Sequence, residues 1–361
     1  MRQASAALTP LAEALALLLA EAAPAAARLR PLAEAEGLIA AAPVRAPQDL
    51  PAARIALRDG YAVAADRIGG ASPHAPVPVP RPPPWLEAGG MLPAGTDAVL
   101  AADGVEAGSV IADLAVGEGT RGPGADLAAG DTLLAAGERI GPLQVLALTA
   151  AGIGTVAVRQ PRLRLVVMRQ PDSLSPALRG LIAARGALAE TVAVPAETGA
   201  IAAAIRAAGT DAVLLLGGSG FGRTDRGAEA LDRAGRLIAH GIALRPGETA
   251  AIGEAAGRPV LLLPGRADAM LAAFLALGAP LIARLAGTPT GSAARAPLTR
   301  KIASLIGLAE IVFVRVGAAG AEPLGGAELP LRRLTQATGF VLVAPEREGY
   351  PAGEQVEVWP L

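Results

Sequence analysis

Between residues 161 and 288, short runs of apolar residues alternate with segments of helical periodicity at regular intervals. This alternation predicts an α/β unit with a parallel sheet and right-handed crossovers. The predicted strands are 163–168, 189–194, 212–216, 236–243 and 260–263. The predicted helices are 176–186, 198–208, 228–234 and 267–285, the last of them closing at Gly287.

The segments on either side carry different patterns. Residues 7 to 42 place leucines at helical spacing and predict helices, and the proline-rich residues 43 to 51 predict an extended linker. From residue 55 to about 134, short apolar runs alternate with Gly and Pro and predict a β-rich unit. A helix at 142–151 and a strand at 155–159 follow.

The last part of the chain is again β-rich, with a turn expected at 349–351. The predicted strands are 311–316, 331–334, 340–344 and 355–359. We therefore expect a multidomain α/β protein of four units. They are a helical linker unit (1–50 with 138–160), a β-rich unit (51–137), an α/β unit (161–288) and a C-terminal β unit (289–361).

Composition narrows the chemistry. Hydrophobic residues make up 52% of the chain and aromatic residues only 2%, so Ala, Leu and Val supply the core. A formal net charge of −1 argues against nucleic acid or an anionic membrane as the main partner. The absence of cysteine excludes disulfides, thiolate zinc sites and cysteine nucleophiles, and two histidines exclude histidine-rich metal centres.

The first 24 residues contain one apolar run, from Ala14 to Ala20, bracketed by Glu13 and Glu21. The run is shorter than the roughly 20 residues that a membrane span requires. A signal peptide stays open as an alternative, and a helix of a cytoplasmic protein fits the pattern better.

Residues 217–225, here called the glycine loop, connect a predicted buried strand to a predicted helix with four glycines within six positions. Glycine lets the backbone approach a ligand closely, and N–H groups at a helix start favour anions. The sequence therefore predicts a phosphate-binding loop in which Asp225 could meet a magnesium ion or a ribose. A tight turn with a helix cap is the alternative, and neither a Walker loop nor a dinucleotide fingerprint matches.

A second turn of this kind, residues 264–268, leaves the predicted strand 260–263 and enters a helix. Because ligands of open parallel sheets bind beyond the carboxyl ends of the strands, the two turns are expected to frame one pocket. Asp59-Gly60, within residues 57–63, is by itself typical of a hairpin turn.

Together these segments resemble the MoeA family, the molybdopterin molybdenumtransferases, over nearly the whole chain and in the same order. The matching motifs are D-G-Y-A at 59–62, V-P-x-G-A-D-A-V at 92–99, R-x-x-G-E-D…G-D at 121–126 and 130–131, S-G-G-V-S-x-G-x-x-D at 216–225, K-P-G at 245–247 and P-G-N-P at 264–267. The resemblance implies a three-layer molybdopterin-binding α/β domain, a β-rich insertion, a helical linker and a C-terminal β-barrel-like domain.

Several motif positions hold other residues. The family's T-G-D-E-L corresponds to residues 170–174, where Asp172 is kept and Ser173 replaces the glutamate, and Ala88 replaces the threonine of T-G-A-P-V-P. In the glycine loop, Leu216 and Gly220 replace serines, and no lysine follows Asp225. Glu248 replaces the second lysine of K-P-G-K-P, and Arg266-Ala267 replaces N-P. Four arginines could offset part of the lost binding groups: Arg223, Arg226, Arg245 and Arg266.

The resemblance implies insertion of molybdate into adenylylated molybdopterin with loss of AMP, assisted by Mg²⁺ in a homodimer. The implied catalytic residues are Asp59, Asp172 and Asp225, and the implied metal ligands are Asp126, Asp172 and Asp225. The implied cofactor-binding residues are Gly217, Gly218, Ser219, Gly220, Gly222, Arg245, Pro264, Gly265 and Arg266.

Two other functions stay open. The altered motif positions fit a protein that binds molybdopterin or molybdenum cofactor and hands it to an apo-molybdoenzyme. A phosphatase or nucleotidyl-type enzyme on the same scaffold is the third and weaker alternative.

Overall fold

A computed structural model describes residues 8–168, 172–222, 224–289 and 291–361. Gln170, Pro171 and Arg223, which entered the motif comparison, lie outside the described residues. Helices and strands are numbered below in chain order.

The N-terminal part begins with β1 (Thr9–Pro10) and the helix α1 (Leu11–Ala20). Short strands follow: β2 (Arg28–Pro31), β3 (Ile39–Ala40) and β4 (Val44–Arg45). The prediction of helices over residues 7–42 is therefore correct for α1 and for a short 3-10 turn at Leu32–Glu34, and wrong for β2 and β3. Leucine spacing is helical up to Leu19, but Pro24 and Pro31 interrupt the pattern.

The β-rich part consists of short strands in several small sheets, as the sequence predicts. They are β5 (Ile55–Ala56), β6 (Gly60–Val63), β7 (Val77–Pro78), β8 (Trp85–Leu86), β9 (Ala98–Leu100), β10 (Val105–Glu106), β11 (Ser109–Val110), β12 (Thr120–Arg121) and β13 (Thr132–Leu134). Gly60 begins β6 rather than a hairpin turn, and a Cβ there would collide with the Leu100 carbonyl of β9.

Helix α2 (Pro142–Ala150) and strand β14 (Thr155–Arg159) confirm the predictions for this segment. Strand β14 pairs with β2 and β3, so that chain segments more than one hundred residues apart form one three-stranded sheet. The two segments assigned by sequence to one linker unit are thus joined by main-chain hydrogen bonds.

The α/β part of the chain follows the predicted alternation of strands and helices. They are β15 (Arg162–Val167), α3 (Ser175–Ala183), β16 (Leu188–Ala193), α4 (Thr198–Arg206), β17 (Ala212–Leu216), α5 (Gly227–Ala234), β18 (Arg236–His240), β19 (Ile242–Arg245), β20 (Ala251–Ala255) and β21 (Arg258–Leu263). The long helix that follows runs as α6 (Ala267–Ala273), a π-helical turn (Phe274–Gly278) and α7 (Ala279–Ala286), and it ends at Gly287 with φ +68°.

The strand order in the central sheet is β16-β15-β17-β21-β20-β18. The first four strands are parallel, and β20 and β18 run antiparallel to their neighbours. The prediction of an all-parallel sheet is therefore wrong at one edge. Strand β20 escaped the sequence pattern because Gly253 interrupts its apolar run, and a Cβ there would collide with the Arg236 carbonyl.

Helices cover both faces of the central sheet. Leu178 and Ile182 of α3 pack on the face that also receives α1, α6 and α7, whereas Ile201 and Ile205 of α4 pack on the opposite face with α5. The chain passes from β15 outward to β16 and returns to β17 on the other side of β15. The β15–β17 boundary is therefore the point at which the strand order reverses, where such sheets bind ligands.

The segment Ala267–Ala286 is long and apolar enough to cross a membrane by composition. Within the protein, however, 78% of its most apolar window is buried. Its apolar residues are thus used in the core, which is the usual environment of such a helix in a packed α/β unit.

The C-terminal part forms a mostly antiparallel sheet. Its elements are β22 (Ala294–Pro297), β23 (Ile302–Ala303), β24 (Ala309–Gly317), β25 (Gly320–Gly325), α8 (Leu331–Leu334), β26 (Gly339–Val343), β27 (Gly349–Tyr350) and β28 (Gln355–Pro360). The predicted strand at 331–334 is wrong: these residues form a helical turn after Pro330. Gly349 and Tyr350, expected in a turn, pair as a strand with β23.

One sheet connects distant parts of the chain. Strand β19 pairs with β1 on one side and with β24 on the other, both in parallel. The predicted strand at 236–243 is in fact two strands in two sheets, separated at Gly241 with φ +95°. The turn that follows β19 therefore lies between the central and the C-terminal sheets.

Candidate active site

The glycine loop leaves β17 with two consecutive residues in the left-handed region, Gly217 at φ +79° and Gly218 at φ +67°. A Cβ at Gly218 would collide with the Met168 side chain, which lies at the end of β15. Glycine is thus favoured here by the backbone conformation, and a larger residue would also displace the flexible Met168 side chain.

The loop returns to its own start before α5 begins. The Gly227 N–H donates a hydrogen bond of 2.9 Å to the Gly218 carbonyl. The Gly222 N–H donates one of 3.0 Å to Asp225 Oδ2, and a Cβ at Gly220 would lie 2.5 Å from that same oxygen. The absence of a side chain at Gly220, a serine in the family motif, therefore makes room for the Asp225 carboxylate.

Residues 264–268, here called the arginine turn, meet the glycine loop backbone to backbone. A Cβ at Gly265 would lie 3.5 Å from the Gly217 Cα, and the Gly217 N–H donates to the Leu263 carbonyl at 3.0 Å. This contact puts the two turns side by side at the edge of the sheet, and that they frame one ligand pocket stays a prediction. Pro264 is buried, while Gly265 and Arg266 are exposed.

The Arg266 guanidinium is fixed by acidic groups. Its Nε lies 2.6 Å from Oδ1 of Asp268, whose side chain is only 2% exposed. The hydrogen bond to Asp268 raises the pKa of Arg266, burial opposes the rise, and the charges of Asp268, Glu248 and Glu328 add to it. Glu248 and Arg266 replace a lysine and an asparagine of the family motif, so positive charge has moved from one turn to the other.

The turn that follows β19 contacts the glycine loop from a third side. Oγ of Ser219, which is 1% exposed, lies 3.4 Å from Oγ1 of Thr249. The Glu248 carboxylate accepts the Gly247 N–H at 3.0 Å. Arg245 is half-buried at the end of β19, in register with Glu310 of β24. The turn that begins with the K-P-G-like residues thus contacts the loop through Thr249.

Asp172 lies just before the helix α3 and bonds to its first turn. Its Oδ1 accepts the N–H groups of Leu174 and Ser175, both at 3.0 Å, and its Oδ2 accepts the Ser175 hydroxyl. Burial alone would raise the pKa of the Asp172 carboxyl, but these hydrogen bonds and the charge of Arg179 together lower it below the ordinary value. Asp172 is therefore a charged helix cap near the reversal point of the sheet.

Asp59 and Asp126 belong to the β-rich part. Asp59 is exposed and accepts the Ala88 N–H at 2.8 Å, and Asp126 forms an ion pair of 2.5 Å with Arg121. These recorded contacts stay within the β-rich part and do not involve the glycine loop. Among the residues that the structure describes, no three acidic or histidine side chains form a group that could hold a metal ion. Asp126, Asp172 and Asp225 are thus not gathered in one place.

Sequence reasoning missed four residues around the loop: Asp268, Thr249, His240 and Phe221. Asp268 occurs in the second turn motif, but its burial and its bond to the Leu329 N–H at 3.2 Å depend on a residue 61 positions later. His240, one of only two histidines, had a usable signal in its position just before Gly241. Phe221 also had a usable signal in the sequence, because it is a rare aromatic residue inside a glycine-rich loop.

Three family models match successive parts of the chain. The MoeA N-terminal region (domain I and II) matches residues 9–152, the probable molybdopterin binding domain matches 157–284, and the MoeA C-terminal region (domain IV) matches 295–361. The matched segments together cover almost all of the sequence and follow each other in the family's order.

Individual relatives agree with these models. A molybdopterin molybdenumtransferase of Synechococcus elongatus is 30% identical over 280 residues, covering 65% of this chain and 70% of the relative. Molybdopterin molybdenumtransferase 2 of Mycobacterium tuberculosis is 28% identical, covering 90% and 93%. A crystal structure of a molybdopterin biosynthesis MoeA protein from Pyrococcus horikoshii has a TM-score of 0.79 at 27% identity, covering 98% and 99%.

The fold and the loop geometry define a multidomain α/β protein in which two strand-to-helix turns meet at the carboxyl edge of its central sheet. With the family models and relatives, the chain belongs to the MoeA family, which acts in molybdenum cofactor biosynthesis.

Proposed function

We propose that this protein is a molybdopterin molybdenumtransferase that inserts molybdate into adenylylated molybdopterin and releases AMP. The observation that carries the proposal is the contact between Gly217 and Gly265 at the carboxyl edge of the sheet. Both turns lead into helices there, so main-chain N–H groups and arginine side chains can face one anionic ligand.

The phosphate groups of the substrate are assigned to the glycine loop. A loop of small residues lets main-chain donors reach phosphate oxygens without side chains in between. Ser219 is buried and anchors the loop to Thr249, so its role in this proposal is to hold the loop in place. Gly217, Gly218, Gly220 and Gly222 then provide the surface against which the phosphate rests.

Arg245 and Arg266 are assigned to the oxoanion and to the remaining phosphate charge. Guanidinium groups bind phosphate-like oxygens in pairs, so arginines can replace the missing lysine donors. Arg266 is held in place by the bond from its Nε to Asp268, and its side chain is 54% exposed. The outward face of its guanidinium is therefore available to a ligand.

A magnesium ion fits this site only with help from the substrate. The described residues offer no cage of three carboxylates, but Mg²⁺ commonly takes one or two carboxylates together with substrate phosphate oxygens and water. Asp225 lies in the loop assigned to the phosphate. Asp172 lies just before α3, the helix that follows the neighbouring strand β15. When bound there, Mg²⁺ would neutralise charge on the departing AMP.

Asp59 is assigned to the site of a second copy of the chain. Its own contacts lie in the β-rich part, and its side chain is exposed. A homodimer in which the β-rich part of one subunit faces the central sheet of the other would bring Asp59, and with it Asp126, to a partner's ligand. We propose such a homodimer working in the cytoplasm, with an apo-molybdoenzyme as the acceptor of the product.

The proposal is tested by complementation of a strain that lacks its own molybdenumtransferase, together with AMP release by the purified protein. The wild-type chain is expected to restore molybdoenzyme activity. Asp225→Ala is expected to abolish both readouts, because it removes the carboxylate beside the phosphate loop. Asp232→Ala, an exposed carboxylate on α5, is the matched control and is expected to behave as wild type.

The alternative function predicts a different pattern. A protein that only carries molybdopterin would bind it tightly, would fail to complement, and would release no AMP from the adenylylated substrate. That combination would overturn the proposed enzyme in favour of a carrier. Complementation by Asp225→Ala at the wild-type level would instead remove Asp225 from the chemistry.

A further inference from the structure

Phe221 differs from every other phenylalanine of the chain in its surroundings. The chain contains four, and three of them lie in hydrophobic cores at 0% to 8% exposure: Phe274, Phe313 and Phe340. Phe221 is 56% exposed and lies within the glycine loop. Exposure of an aromatic ring to water is unfavourable, and exposed apolar surface often marks a place where a ligand or partner binds.

One face of the Phe221 ring is already covered by protein. The His240 ring lies 4.6 Å away between centroids, at an interplanar angle of 31°. A Cβ at Gly241 would lie 3.6 Å from Phe221 Cζ, so the glycine also brings main chain close to the ring. The two rings are therefore stacked on each other, with the half-exposed Phe221 on the solvent side.

The stack is anchored to the loop that carries it. His240 Nε2 lies 2.8 Å from the Ser219 carbonyl, and since a carbonyl only accepts, Nε2 must carry the proton. Ser219 is itself buried. The histidine ring is thus held by the same loop that presents Phe221, and the pair forms a fixed surface rather than one loose side chain.

We propose that Phe221, supported by His240, stacks on a flat heteroaromatic ring of the ligand whose phosphate the glycine loop holds. This inference rests on the proposed function, which places a pterin phosphate joined to AMP at this loop. Pterin and adenine are both flat nitrogen heterocycles that stack on aromatic side chains, so either ring can be the one bound. Phe221 is then a specificity-determining residue, because it favours phosphates that carry a ring.

Three phosphates separate ring binding from phosphate binding: AMP, neopterin monophosphate and ribose 5-phosphate, which has no base. Loss of an aromatic stacking partner weakens binding of a base by about ten- to a hundredfold. Phe221→Ala and Phe221→Leu are each expected to show this loss for at least one ring-bearing phosphate in titration calorimetry. Ribose 5-phosphate should bind all variants equally, and Phe221→Trp should retain the wild-type preference.

A structural role of Phe221 is distinguished by spectroscopy. Ring protons of the bound ligand should shift upfield in the NMR spectrum of the wild-type complex, and this shift should vanish with Phe221→Leu, which keeps an apolar side chain. Whichever ring loses affinity and shift together, pterin or adenine, is the ring that Phe221 binds.

The stacking proposal is overturned if all three phosphates bind Phe221→Ala as they bind wild type, or if all three weaken equally. It is also overturned if wild type binds ribose 5-phosphate as tightly as the ring-bearing phosphates. Failure of the proposed function has a different signature, namely no AMP release from the adenylylated substrate by a wild-type protein that still shows ring-dependent binding.

Discussion

The glycine loop and the arginine turn leave neighbouring parallel strands in the same direction, and each leads into a helix, but they are held in place by different interactions. The glycine loop is shaped by its main chain, with two residues at positive φ and a hydrogen bond from Gly227 back to Gly218. The arginine turn contains no glycine at positive φ, and its conformation depends on the side chain of Asp268.

The difference separates two ways of presenting groups to an anion. A main-chain loop offers N–H groups with no side-chain entropy to lose, but it tolerates few substitutions because its contacts are between backbone atoms. An arginine held by a buried carboxylate offers a positive charge whose position depends on a side-chain ion pair and less on the exact course of the backbone. In this chain the second kind of site supplies positive charge through Arg266.

The largest effect is expected from adding a methyl group where the glycine loop closes. In Gly227→Ala the new Cβ would lie 2.6 Å from the Gly218 carbonyl oxygen and 2.8 Å from Leu215 Cδ2. Because main chain and core would both have to move, we expect a loss of about 2–3 kcal/mol in unfolding free energy.

The matched change in the arginine turn is Gly265→Ala, where the new Cβ would meet the Gly217 Cα at an ordinary contact distance of 3.5 Å. Its effect on stability should stay below about 1 kcal/mol. Calorimetric unfolding of the two variants checks the comparison, and equal losses would show that both turns are equally constrained by their backbones.

The arginine turn should instead be sensitive at Asp268. Asp268→Ala removes the partner of Arg266 and leaves the Leu329 N–H without its acceptor in the interior. An unsatisfied buried donor costs about 2 kcal/mol, and the exposed end of the ion pair contributes less. Asp268→Asn keeps an acceptor for Leu329 and should cost less than about 1 kcal/mol.

The same pair of variants reports on the ligand. Both are expected to weaken binding of phosphate-containing ligands, because Arg266 is no longer held. If Asp268→Asn unfolded as readily as Asp268→Ala while ligand binding stayed intact, the role of Asp268 would be to bind Leu329 in the C-terminal part and not to position Arg266.

The position of the glycine loop could be predicted from sequence, but its interactions could not. The run of apolar residues at β17 and the glycines after it are local features, and they located the loop at the correct edge of the sheet. The role of Asp268 depends on Leu329, and the strand β2 depends on β14, more than one hundred residues away. Such long-range pairings cannot be detected from local periodicity, which is why residues 28–31 fall within the segment 7–42 that is predicted to be helical.

Gly220 illustrates a different limit. Its departure from the family's serine suggested a lost ligand group, because sequence alone shows only the missing hydroxyl. In the structure Asp225 Oδ2 lies 2.5 Å from the position that a Cβ would take, so a side chain there would require the Asp225 carboxylate to move. The physical reason is steric and could be found only from coordinates.

Asp172, at the start of the helix after β15, combines features of both turns, since its carboxylate accepts main-chain N–H groups as a cap and stays charged. Asp172→Ala is expected to cost about 1 kcal/mol at neutral pH, as for other helix caps. Asp172→Asn cannot titrate, and its amide oxygen still accepts the two N–H groups, so this variant should lie close to wild type there.

The pH dependence gives the smallest and most specific effect. Because the folded-state pKa of Asp172 lies below its ordinary value of 3.8, the charged form stabilises the fold above that value. This contribution is lost as the pH falls from 3.8 through the lowered pKa, so the wild-type advantage over Asp172→Ala should shrink only in that acid range. If the stability difference between wild type and Asp172→Ala shrank between pH 7 and 5 instead, a group other than Asp172 would control it.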